Sequence, residues 1–150
     1  MKRLAPGVAA LTLFAAPALA GDPAAGESAF GQCQTCHVVQ NEDGDILAGR
    51  NGRQGPNLYG LVGRTAGTVE GFRYQNSIVQ AGEEGLVWDE ENLVAYLLNP
   101  QDYLREVLDD RRARSGMVHR VRAEAEAADI VAFLAQFGTA AEGEEEDTGS

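Results

Sequence analysis

Two thiols and an imidazole stand together at Cys33-Gln34-Thr35-Cys36-His37, and the chain holds no other cysteine. Residues of these types at this spacing suit three chemistries. The sulfurs can take the vinyl groups of a porphyrin while the next imidazole reaches its iron, which is the C-x-x-C-H pattern of covalent haem c attachment. They can form a dithiol redox pair. They can also supply part of a zinc site, but a structural site needs four protein ligands and only His119 is left to join Cys33, Cys36 and His37. The histidine directly after the second cysteine favours haem; a dithiol pair and a chance match are the alternatives.

A low-spin haem iron needs a sixth ligand from elsewhere in the chain. Met117 follows Arg114-Ser115-Gly116, and the only other methionine is Met1. A thioether is a soft, neutral ligand that favours Fe(II) and raises the reduction potential. Core packing is the ordinary use of a lone methionine. His119, two residues on, is either a surface histidine or an alternative iron ligand, since neutral imidazole binds Fe(III) well.

The first twenty residues indicate export. Met1-Lys2-Arg3 is a positive start, Leu4 to Leu19 is mostly apolar, and Ala18-Leu19-Ala20 is an A-x-A cleavage pattern. Cleavage after Ala20 would place the protein in the periplasm, and the apolar run is short for a membrane span. Beyond it, ten arginines and no lysine face 23 acidic residues, a formal charge of −13. That balance argues against nucleic acid or anionic membrane as partners.

About 130 residues then suffice for one domain. Asp22-Pro23 is a helix start, with Gly26, Phe30 and Cys33 on one face. Asn41 to Pro56 reads as loop, and Asp43-Gly44-Asp45 as a turn with a passing likeness to a calcium loop. Gly60 to Gly85, with six glycines, also reads as loop. Asp89 caps a helix running to Leu98, Tyr103 to Leu108 is a short helix, and Ala123 to Phe137 carries Ile130, Phe133, Leu134 and Phe137 at helical spacing. No segment alternates as a strand. The domain, residues 21–139, is expected to be all-α, a few helices and long loops wrapped around one haem; residues 140–150 form an acidic disordered tail.

These features together resemble a class I cytochrome c, and specifically the bacterial cytochrome c2 subclass, over Gly21 to Gly138. Gly26 and Phe30 match the first-helix pair that packs on the last helix at Ile130 and Phe133. Gly55-Pro56-Asn57-Leu58-Tyr59-Gly60 matches the segment whose Pro56 carbonyl accepts the Nδ1–H of the ligand histidine. The resemblance implies His37 and Met117 as axial ligands and Cys33 and Cys36 as attachment points. It also implies that Arg64, Tyr74 and Trp88 meet the propionates, with Ser115 as a further donor. His119 stands where mitochondrial-type members carry phenylalanine. Family members often exchange methionine for lysine at alkaline pH; without lysine, an alkaline form here would be ligated by His119 or hydroxide.

The implied function is a monomeric periplasmic carrier of single electrons, not an enzyme. Its donor would be a membrane bc1-type complex, its acceptor a terminal oxidase, a denitrification enzyme or a photosynthetic reaction centre. A haem enzyme or gas-sensing module with a labile sixth ligand is the alternative. Between Arg105 and Arg122, six arginines face three acids, while the rest of the exported chain carries four arginines against twenty acids. The methionine-bearing segment is thus a positive island that can orient the protein toward an acidic partner, unless its arginines pair locally with Asp109 and Asp110.

Overall fold

A computed structural model describes residues 21–138. The expected signal segment, residues 1–20, and the tail, 140–150, lie outside the described residues. Among the described residues, five α-helices and one small hairpin make up the regular structure: α1 (Pro23–Ala29), β1 (Val38–Gln40), β2 (Ile46–Gly49), α2 (Asn76–Glu83), α3 (Glu90–Leu98), α4 (Pro100–Val107) and α5 (Glu124–Leu134). A 3-10 turn, Phe30–Gln32, carries α1 into Cys33. None of these helices is long and apolar enough to cross a membrane.

Local chemistry accounts for most helix starts. The Asp22 carboxylate accepts from Ala24 N–H at 2.9 Å, with Pro23 in the first turn. Asp89 and Asn92 form a reciprocal capping box at α3, 2.7 and 3.0 Å. Asn99 ends α3 and also caps α4 by accepting from Asp102 N–H at 3.2 Å. That cap, with Pro100 behind it, starts α4 three residues before the expected Tyr103. At the other end, α5 stops at Leu134 and not at Phe137, whose N–H closes a turn on the Leu134 carbonyl at 3.1 Å.

Two expectations of loop need correction. Val38 and Val39 are both buried, so β1 lacks the alternation that marks a strand, yet it pairs antiparallel with β2 inside the stretch 41–56. Asp43 and Gly44 make the hairpin turn, closed by Asn41 N–H to the Asp45 carbonyl at 3.0 Å. The second is α2, within 60–85. Gln75 gives it no side-chain cap, and its buried face is only Ala81 and Gly82, so neither cap nor apolar period announces it.

The domain closes where α1 crosses α5. A β-carbon on Gly26 would lie 1.9 Å from the Asp129 carbonyl oxygen and 2.8 Å from Phe133 Cβ, so only glycine allows this approach. Phe30 then packs on Phe133 with ring centroids 5.5 Å apart, and Ile130 is fully buried. The N-terminal segment bearing the cysteines is thereby fixed to the last helix.

Candidate functional site

His37 leads directly into β1, and β1 recruits the segment that covers its ring. Gln40 N–H donates to Asn57 Oδ1 at 3.0 Å, Asn57 Nδ2 donates to the Gln40 carbonyl at 2.7 Å, and Leu58 N–H reaches the Val38 carbonyl at 2.9 Å. The asparagine side chain here pairs as a strand backbone would. It brings the Pro56 carbonyl to 2.9 Å from His37 Nδ1, which therefore donates and leaves Nε2 with the lone pair. Gly55 lies against the ring face: a β-carbon there would fall 2.3 Å from His37 Cε1. Burial pushes the His37 pKa down, with the Pro56 hydrogen bond opposing it and His119 adding slightly to the fall. Such a ring is neutral, oriented and suited to a metal ion.

The cysteines differ. Cys33 is buried and Cys36 half-buried, and neither is in a disulfide. Burial first, then Cys36 and Glu126, push the Cys33 thiol up to about 11. Reactive thiols have lowered pKa values, so the buried Cys33 is poorly built for thiol exchange. His119 does not join the cysteines either; its Nε2 lies 2.8 Å from Gln32 Oε1.

Met117 sits in a loop fixed at both ends by the buried Ala113 and Val121, the latter donating its N–H to the Leu97 carbonyl at 2.9 Å. Gln101 from α4 donates to the Ala113 carbonyl and accepts from Ser115 N–H at 3.3 Å. Within the loop, Ser115 Oγ donates to the Met117 carbonyl at 2.9 Å and accepts from Met117 N–H at 3.1 Å, with Tyr96 Oη 3.3 Å away. The half-buried Met117 packs on the apolar core. Ser115 thus shapes the methionine turn; these bonds occupy its hydroxyl.

Arg64 and Trp88 meet through backbone: Trp88 N–H donates to the Arg64 carbonyl at 2.9 Å, beside a bridge between Thr65 and Val87. The Trp88 indole is buried in a trio with Tyr96 and Tyr103, centroids 5.0 and 6.2 Å away. The Arg64 guanidinium donates to the Tyr59 and Asn57 carbonyls at 2.8 and 3.1 Å. Burial lowers its pKa, partly offset by Tyr74, whose own hydroxyl burial raises.

Beside Tyr74 opens a cavity of about 520 Å³, lined by Arg73, Tyr74, Gln75, Asn76, Ser77 and Arg114. It lies at the start of α2, where first-turn N–H groups have no side-chain cap. Arg114 N–H donates to Ser77 Oγ at 2.9 Å and ties the methionine loop to this helix end. Two guanidiniums and a helix N-terminus, with no acid in the lining, suit carboxylates. Sequence reasoning named Tyr74 for the propionates and Arg114 for docking, but missed Arg73, Gln75, Asn76 and Ser77 as lining residues.

A clamped histidine, two nearby thiols and a cavity suited to carboxylates fit a covalently held haem. No family model matches the chain. It is 58% identical over 120 residues to the cytochrome c2 of Rhodovulum adriaticum, covering 80% of this chain and 95% of that protein. To a cytochrome c2 of Cereibacter sphaeroides it is 49% identical over 140 residues, covering 91% and 97%. The solved cytochrome c2 of Rhodobacter sphaeroides superposes with a TM-score of 0.77 at 48% identity, covering 79% of this chain and 98% of that one. The fold is therefore that of a class I cytochrome c, helices and loops with a small hairpin. Within that class, the chain belongs to the cytochrome c2 family. A haem c and a general role in carrying electrons follow from that membership.

Proposed function

We propose that this chain is a soluble periplasmic carrier of single electrons, held as a monomer and not acting as an enzyme. Cys33 and Cys36 would hold the haem through thioether bonds, with His37 and Met117 as the residues that would ligate its iron. When bound, the haem supplies an iron that alternates between Fe(III) and Fe(II). The observation that carries this reading is the His37 ring, fixed by the Pro56 carbonyl at 2.9 Å on one edge and by Gly55 on its face.

The protein's own work is orientation and exclusion. Pro56 sets the His37 tautomer, so Nε2 faces outward with its lone pair and the ring stays put in both oxidation states. Ser115 and Gln101 hold the Met117 turn, which limits rearrangement on electron transfer. Arg64, Tyr74, Trp88 and the cationic cavity beside Tyr74 are assigned to the propionates; Ser115 contributes to Met117 first. Carboxylates buried without donors of this kind are costly.

The arginine island serves docking. Among the described residues the one ion pair is Arg105 with Asp102, 3.1 Å, so Arg111, Arg112, Arg120 and Arg122 keep their charge for a partner, while Arg114 lines the cavity beside Tyr74. Val118, 88% exposed, stands between Met117 and His119 on this face. The surface suits an acidic donor of bc1 type and an acidic oxidase, denitrification enzyme or reaction centre as acceptor.

The test is optical. Oxidised, haem-loaded protein should show the weak far-red charge-transfer band of Met-ligated Fe(III), and the reduced form should bind carbon monoxide slowly or not at all. Rapid carbon monoxide binding would instead support a haem enzyme or gas sensor with a labile sixth ligand.

A further inference from the structure

Gln32 is the residue before Cys33, and its amide orientation follows from its own acceptors. Its Nε2 donates to the Ala29 carbonyl at 3.1 Å and to Glu126 Oε1 at 3.2 Å. Oε1 therefore faces His119 Nε2, 2.8 Å away. A carbonyl oxygen only accepts, so His119 Nε2 must carry a hydrogen and donate it. In the neutral ring the lone pair is then on Nδ1, and Nε2 has none to offer a metal. The Glu126 carboxylate behind the amide polarises it and strengthens the bond to His119.

From this geometry we propose that Gln32 is a ligand-selecting latch: it ties down the His119 imidazole through its Nε2–H, a bond the ring must break before it can compete for iron, and leaves Met117 as the sixth ligand. The proposal rests on the reading of His37 and Met117 as axial ligands. His119 lies two positions beyond Met117, a reach of about 7 Å along extended chain. The segment Val118 to Arg120 is exposed and lies between the anchors at Ala113 and Val121, so it can rearrange without disturbing either. Imidazole competes with thioether for Fe(III), and a free His119 beside Met117 would do so constantly. Gln32 acts through His119, as a positioning residue, from 87 positions away in the chain.

Three variants of the haem-loaded protein test the latch: Gln32→Ala, Gln32→Leu, which keeps the volume without the acceptor, and Gln32→Ala combined with His119→Phe. Read by the far-red band and the reduction potential of the oxidised protein, both single variants should shift the ratio of imidazole to methionine ligation by about fivefold, as one net hydrogen bond allows. The band weakens and the potential falls. The double variant should regain the parent band. Single variants with the parent's band and potential overturn the latch, and so does a band equally weak in the double variant, which would give Gln32 a structural role only. A parent protein without the band rejects Met117 as ligand and the latch with it.

Discussion

Gly26 and Asp129 touch backbone to backbone: a β-carbon on Gly26 would lie 1.9 Å from the Asp129 carbonyl oxygen. The contact binds the segment leading to the cysteines to the last helix, and Asp129 Oδ1 adds a bond from Asp22 N–H at 2.7 Å. Gly26→Ala should cost about 3 kcal/mol, because backbone on both sides leaves the methyl no room. Denaturant unfolding of the haem-loaded protein measures this. A midpoint equal to the parent's would mean the helices slide apart freely.

Gly55 gives a second steric prediction, at the His37 ring. Alanine there would push on the His37 ring at 2.3 Å and disturb its bond to the Pro56 carbonyl. Gly55→Ala should lower stability by about 2 kcal/mol and alter the absorption of the loaded protein, whereas Gly26→Ala should leave that absorption alone. An unchanged spectrum with unchanged melting would show that residues 54–56 yield without strain.

Ser115→Ala removes three contacts of one hydroxyl: with the Met117 carbonyl, Met117 N–H and Tyr96 Oη. The expected cost is about 1–2 kcal/mol. Loss should concentrate in the methionine loop, so the far-red band should bleach at a lower temperature than the fold melts. Simultaneous bleaching and melting would assign Ser115 a general structural role.

Charge reversal at Arg120 and Arg122, exposed and outside the cavity lining, tests the docking face. With both changed to Glu, reduction by the physiological donor should slow about tenfold at low ionic strength, and the difference should fade as salt is added. An equal rate at low salt would reject the orienting role of the island.

Much of this was legible in the residues. The C-x-x-C-H motif, the lone late methionine and the caps at Asp22 and Asp89 are local patterns whose chemistry acts within a few positions. The pairing of Pro56 with His37 came only through resemblance, since nothing local marks a carbonyl 19 residues away as a partner. The hairpin escaped because Val38 and Val39 are both buried, which erases the alternation of a strand. Helix α2 escaped because no cap announces it and its buried face is Ala81 and Gly82, small residues that pack by close approach and not by apolar period.

By itself, then, the sequence determined the family, with the haem c that membership implies, and where most helices begin, because motifs and caps depend on spacing along the chain. Only the tertiary structure decided which groups face one another: Asn57 reaching back to β1, Ser115 turning to Met117, Arg114 joining Ser77, and Gln32 engaging His119. Those bonds join residues brought close by packing, and a short-range directional contact cannot be read before the packing places its donor within about 3 Å of its acceptor.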